Sequence, residues 1–181
     1  MCATPNRGEP LRRHVVLIGL PGAGKSTAGP LAAELLGAQF VDLDRVIERH
    51  AGAPISRIFG EYGEARFRQL EQEAMAVVLE TEPAVIAPGG GWAAQPGALD
   101  WAAPACAIIY LVCPAAVATR RASADGGRPL LAVGDPEKRM RQLLAERTPF
   151  YERTPHRVDA SRSPRDVARA IVEVARREAG W

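Results

Sequence analysis

The run Gly19-Leu20-Pro21-Gly22-Ala23-Gly24-Lys25-Ser26-Thr27 matches the spacing G-x-x-x-x-G-K-[ST], which is built to hold nucleotide phosphates. Glycines let successive backbone N–H groups turn inward around a phosphate, and the N-terminus of a following helix adds partial positive charge. In that arrangement Gly22, Ala23, Gly24 and Thr27 cradle the phosphates, Lys25 reaches the outer ones, and Ser26 is placed to ligate Mg²⁺. Only Lys25 and Lys138 among the 23 basic residues are lysines, so a lysine at the one position that demands it does not follow from composition.

Other residue types that can act on a phosphoryl group lie further along. Asp42 and Asp44 end an apolar run with the same strand parity; one can hold Mg²⁺ through water and the other can meet a substrate hydroxyl. Equally, they read as a polar strand end in which Asp44 caps the next helix. Gly89-Gly90-Gly91 after another apolar run signals either a close approach of backbone to a neighbour or a tight turn. Arginine is abundant, so single arginines default to the surface. Arg128 stands out by its place in a glycine-rich stretch that could carry positive charge onto transferring phosphates.

Five strand-like runs alternate with helix-like ones, the pattern of a parallel sheet covered on both faces. The strands are expected at Val15 to Ile18, Gln39 to Asp44, Ala84 to Ala87, Ala107 to Val112 and Arg157 to Asp159. Helical spacing is expected over 28–36, 45–51, a short turn at 55–59, then 64–80, 114–122, 136–147 and 164–178. Gly19, Asp44 and Gly89 would then emerge at the carboxyl edge of the sheet, where such folds bind ligands. The segment of about 122–135, with three glycines and no period, is long enough to be a mobile lid. Pro30 falls inside the first helix, where it deprives the Ser26 carbonyl of its donor, so a kink or an inserted water is expected.

Composition bounds the remaining possibilities. The 181 residues suit one domain, with 47% hydrophobic and 24% charged residues typical of a water-soluble core and surface. A net charge of +2 with scattered arginines argues against a nucleic-acid partner. No apolar run approaches the about 20 residues needed to span a bilayer, so no membrane partner is expected. Cys2, Cys106 and Cys113 form no even framework and read as small core residues, and no cysteine or histidine spacing suggests zinc. Residues 1–13 lack an apolar signal core and read as a flexible tail, leaving 14–181 as the domain and the cytoplasm as the default location.

Taken in order, the phosphate loop, Asp42-Leu43-Asp44, Phe67-Arg68 after Gly63-Glu64, Gly89-Gly90-Gly91, Arg128-Pro129-Leu130-Leu131 and Arg147 before Pro149-Phe150-Tyr151 resemble the shikimate kinases, over about His14 to Ala175. The resemblance implies an α/β fold: a single-domain three-layer sandwich with a five-stranded parallel sheet flanked by helices, of P-loop kinase type with a mobile lid. It implies transfer of the γ-phosphoryl of ATP to the 3-hydroxyl of shikimate, with ATP as co-substrate, Mg²⁺ as cofactor, small-molecule partners only and a monomeric enzyme. By the same resemblance Asp44 orients and deprotonates the hydroxyl, Arg68 and Arg147 clamp the carboxylate, and Gly89, Gly90 and Gly91 approach the ring. Asp42 supports Mg²⁺ through water beside Ser26, Arg128 closes over the phosphates, and Arg121 and Pro164 sandwich adenine. Phe59, Phe67 and Glu71 line or brace the acid pocket, or pack as ordinary helix residues. Pro88 and Trp92 flank the glycine triplet where similar proteins usually carry small or aliphatic residues, so the pocket wall is expected to differ. The rival readings are a kinase of another polyol acid such as gluconate, and a sensing module that binds the same ligands without turnover.

Overall fold

Side-chain alternation along the strands decides the layering. In β1 (His14–Ile18) Val15 and Leu17 enter one apolar cluster while Val16 and Ile18 enter another, and β4 (Cys106–Val112) divides Ile109 and Leu111 from Ile108 and Tyr110 in the same way. The computed structural model describes residues 12–124 and 135–181. With β2 (Gln39–Asp42), β3 (Ala84–Ala87) and β5 (His156–Asp159) these strands form one five-stranded sheet in the order β2-β3-β1-β4-β5, every pair parallel. A sheet buried on both faces needs near-continuous apolar strands, and all residues of β1 and β3 are buried.

One face carries α1 (Lys25–Leu36), α5 (Ala115–Ala124) and α7 (Pro164–Glu178), which share a core with Val15, Leu17, Val85, Ile109, Leu111 and Val158. The other carries α2 (Leu43–Ala51), α3 (Ile55–Leu79) and α4 (Ala98–Ala102), with Tyr151 of α6 (Pro136–Tyr151) sharing their core. The expected α/β sandwich is therefore present. No helix among the described residues is long and apolar enough to cross a membrane.

Several boundaries differ from those read in the sequence. Strand β2 stops at Asp42, whose carboxylate accepts from Arg45 N–H at 3.4 Å and caps α2; Asp44 therefore sits in the first helical turn and does not share strand parity with Asp42. Helix α1 runs from Lys25 to Leu36 with Pro30, an exposed residue, inside it. The run 55–80 is one element interrupted at Gly63, where φ 74 and ψ 175 break the helical path between its two halves. A 3-10 turn at Trp92–Ala94 and helix α4 were not among the elements expected from the sequence. Cys106 and Cys113 are buried free thiols, as their apolar setting suggests, and burial pushes the Cys106 thiol up to about 12.

One titratable group sits in the sheet itself. His14 is 4% exposed and its Nδ1 accepts the Ala84 N–H at 3.2 Å, which joins the starts of β1 and β3 and requires that nitrogen to be unprotonated. Desolvation lowers its pKa below the ordinary 6.5, opposed by a backbone contact at Leu79. The neutral form is favoured by folding, so the contribution of His14 is intact above about pH 6.5 and is lost as pH falls through its lower native pKa. Urea midpoints measured across that range should fall more steeply for the parent than for His14→Gln, whose amide oxygen can accept the same N–H without titrating. Parallel pH profiles for the two proteins would refute this.

Candidate active site

The nucleotide side is built by the loop after β1. Gly22 (φ 76) and Gly24 (φ 95) take left-handed backbone conformations, and a Cβ on Gly22 would overlap the Ala118 carbonyl oxygen. These turns let α1 begin at Lys25, with Thr27 N–H bonded to Gly24 O at 3.1 Å. Lys25 is 6% exposed, and its Nζ donates to Gly19 O at 2.8 Å and Leu20 O at 3.1 Å, which fixes its ammonium inside the loop. A cavity of ≈ 440 Å³ opens over this loop, lined by Gly22 through Ala28 and, on its far wall, by Arg121, Arg162, Pro164 and Val167. Arg121 is held by Ala160 O, to which its Nη1 donates at 2.7 Å, and it lines the same cavity as Pro164.

Ser26, which lines this cavity, meets Asp42. Ser26 Oγ donates to Asp42 Oδ2 at 3.2 Å, across the gap between α1 and the end of β2. A hydroxyl and a carboxylate are hard oxygen donors of the kind Mg²⁺ takes, and that ion usually draws its remaining ligands from water and substrate phosphates. The residues present therefore fit the ion. Among the described residues no group of three or more His, Cys, Asp or Glu side chains could hold a metal unaided.

The acceptor side is organised by the glycine triplet. None of its three glycines has a positive φ, so the turn does not require glycine for its dihedrals. Space does. A Cβ on Gly89 would stand 2.7 Å from Glu71 Oε1 and 3.2 Å from Asp44 Oδ1; on Gly90, 3.0 Å from Arg147 Nη1 and 3.2 Å from Pro21 Cδ; on Gly91, 2.5 Å from Arg68 Nη2. Each glycine thus faces one of the side chains singled out in the sequence, and Gly90 also touches the phosphate loop. Close approach, not turn geometry, explains the triplet.

Helices supply the charged groups. Arg68 and Glu71 lie one turn apart on α3, paired Nη1 to Oε2 at 2.7 Å, and Arg68 also meets Glu64 at 2.9 Å. Burial works against the Arg68 charge, but Glu71 and Glu64 outweigh it and raise its pKa. Glu71 is completely buried; desolvation raises its pKa to about 7, with Arg68 opposing and the neighbouring Asp44 adding to the rise. Arg147, on α6, lies beside Tyr151, whose hydroxyl donates to Gly90 O at 2.6 Å. Phe67 is buried in the core, 4.7 Å between ring centroids from Phe59, and lies under the Arg68 guanidinium at 5.2 Å, so it both packs the helix and supports the arginine.

The structure brings together Gly22 to Thr27, Asp42, Arg121 and Pro164 on one side and Asp44, Arg68, Gly89 to Gly91 and Arg147 on the other. Arg128 and most of the expected lid lie outside the described residues. Trp92 is fully buried and packs into the apolar core that lies on the α2–α4 side of the sheet, directly after the triplet in the chain. Gln95 and Arg162 were not foreseen. Arg162 had no mark to separate it from the many other arginines, and Gln95 lay outside the elements expected from the sequence.

A family model described as "Shikimate kinase" matches residues 21–176. The chain is 43% identical over 159 residues to a shikimate kinase of Mycobacterium avium, covering 87% of this chain and 90% of that one. In fold it is similar to a shikimate kinase from Acinetobacter baumannii solved in complex with shikimate, with a TM-score of 0.85 and 35% identity over 92% of this chain and 93% of that one. A gluconokinase from Sinorhizobium meliloti superimposes with a TM-score of 0.63 at 18% identity, over 94% of this chain and 95% of that one; this likeness concerns the fold alone.

Proposed function

This chain belongs to the shikimate kinase family, and from that membership we propose how its residues divide the transfer of a phosphoryl group from ATP to shikimate. The reaction is ATP-dependent phosphorylation of the 3-hydroxyl, giving shikimate 3-phosphate and ADP on the route to aromatic amino acids. The observation that carries the division of labour is the glycine triplet, which faces Asp44, Arg147 and Arg68 in turn and abuts the phosphate loop at Gly90.

ATP lies in the cavity over the loop, with adenine between Arg121 and Pro164 and its phosphates on the amides of Gly22 to Thr27. Lys25 turns its ammonium to the outer phosphates. Ser26, and Asp42 through water, would hold Mg²⁺, which would supply charge neutralisation on the transferring phosphoryl group. Arg68 and Arg147 clamp the shikimate carboxylate, since two guanidinium forks fix the direction of a small anion as well as its charge. Gly89 to Gly91 let the ring lie against backbone. The 3-hydroxyl gives its proton to Asp44 as its oxygen attacks the γ-phosphorus and the bond to the ADP oxygen breaks. Positioning and charge neutralisation do most of the work in such transfers. Arg128 adds positive charge from the lid, which excludes water as a competing acceptor. Residues 14–181 act as one domain in this reading, as a monomer in the cytoplasm, without nucleic-acid or membrane partners.

A coupled ADP-release assay with shikimate, quinate and gluconate tests the acceptor. Shikimate should give a kcat/KM about 10²-fold or more above gluconate, because an acid pocket shaped for one ring leaves polar groups unpaired around an open chain. Equal rates with gluconate would refute the assignment, and binding of both ligands without ADP formation would favour a sensor.

A further inference from the structure

Arg68 can clamp an incoming carboxylate only if something holds its guanidinium toward the triplet, and that anchor is Glu71. The anchor is itself precarious. Its carboxylate is fully buried, both of its side-chain donors meet Oε2 while Oε1 lies against Gly89, whose backbone N–H favours the ionised form only weakly, and the like charge of Asp44 faces it from α2. An ionised carboxylate in such a place must be gripped by donors. Of the side-chain donors, Arg68 Nη1 supplies one, on Oε2 at 2.7 Å, and Gln95 Nε2 the other, on the same oxygen at 2.6 Å.

Gln95 is well fixed for this task. It follows the 3-10 turn at Trp92–Ala94, its N–H donates to Trp92 O at 3.0 Å, and its carbonyl accepts from Ala98 N–H at 3.2 Å. With its backbone held at both ends, the side chain reaches across to a residue 24 positions earlier in the chain. Its amide nitrogen is a donor, and the partner oxygen can accept from it and from Arg68 only while Glu71 lacks a proton there.

We propose that Gln95 is a positioning residue for acceptor binding: its amide joins the Arg68 guanidinium in gripping one oxygen of the buried Glu71 carboxylate, and so holds Arg68 toward the glycine triplet. The proposal rests on the shikimate kinase reading above, and it adds to that reading a residue on the stretch that follows the triplet. The charged groups around Glu71 are Arg68 and, through it, Glu64 on α3, and Asp44 on α2; Arg147 of α6 reaches the adjoining Gly90. Removing the Gln95 donor weakens the ionised form of a carboxyl that already titrates near neutrality.

The test compares the parent with Gln95→Met, which keeps length and loses the donor, and Gln95→Lys, which restores one. For Gln95→Met the KM for shikimate should rise about tenfold near pH 7, with kcat and the KM for ATP within about twofold of the parent. The rise should shrink toward about pH 9, where Glu71 is ionised without help. Gln95→Lys should bring KM back to within about twofold of the parent. A KM rise of the same size at every pH, or one accompanied by an equal fall in kcat and a lower melting temperature, would show a merely structural role and overturn the proposal. So would an unchanged KM. If the parent itself fails to phosphorylate shikimate, the functional reading falls separately. A ¹³C NMR titration of the Glu71 carboxyl in the ligand-free proteins then decides the matter: an upward shift in Gln95→Met upholds the grip, and an unmoved titration overturns it.

Discussion

Asp44→Asn is expected to bind ATP as the parent does and to lose about 10³-fold in kcat with shikimate, within the range that positioned general bases contribute. The substitution is isosteric, so the pocket keeps its shape. Asp44 lies in the first turn of α2 with Oδ1 beside Gly89. Loss of an acidic group from a helix N-terminus costs about 0.3–1 kcal/mol, too little to unfold the domain. Removal of its charge also relieves Glu71, whose pKa Asp44 helps to raise, so the anchor of Arg68 becomes firmer. The variant should therefore lose kcat without a rise in the KM for shikimate. Steady-state kinetics with calorimetry for ATP separates the two, and turnover within about tenfold of the parent would remove Asp44 from the chemistry.

Arg68→Met should raise the KM for shikimate by about 10²–10³-fold, since a charge-assisted hydrogen bond contributes about 1.5–3 kcal/mol and a guanidinium fork can make two. The KM for ATP should not move, because Arg68 faces Gly91 and not the nucleotide cavity. A second loss is built in. Without Arg68 the buried Glu71 keeps Gln95 as its side-chain donor and a weak backbone contribution from Gly89, so its protonated form gains at neutral pH. Arg147→Leu should give a comparable rise from the other side of the triplet. Both changes together should fall short of the product of the two, because both arginines grip the same carboxylate. Arg68→Lys should recover little, since a single ammonium cannot meet Glu71 and the substrate in the same geometry. Unchanged KM in both single variants would show that the acceptor carboxylate is held elsewhere.

The phosphate loop and its flanks were legible because their function is local. Consecutive amides, a lysine and a serine within nine residues carry their own geometry once a strand leads in and a helix leads out. The five strands followed from apolar runs, with β3 (Ala84–Ala87) read to the residue. Asp44 was misplaced on a strand because Asp42 has the side chain to cap a helix two residues earlier than the apolar pattern suggested. Pro30 was expected to kink α1 or admit a water; it lies inside a helix that continues from Lys25 to Leu36.

From the residues alone came the class of chemistry and the elements that frame it, phosphoryl transfer at a strand-loop-helix in an α/β chain; the arginines able to take a small anion came from the family resemblance. Which of those residues meet was decided by sheet order. Strand β3 lies between β2 and β1, so the glycine triplet that follows it is set between Asp44 after β2 and the phosphate loop after β1. Burial then set the charge states, because Glu71 is desolvated only when α3 closes against that edge, and only there does Gln95 find it. Spacing along a chain determines local backbone and loop chemistry; contacts between residues far apart in sequence, and the dielectric they share, exist only once the layers have packed.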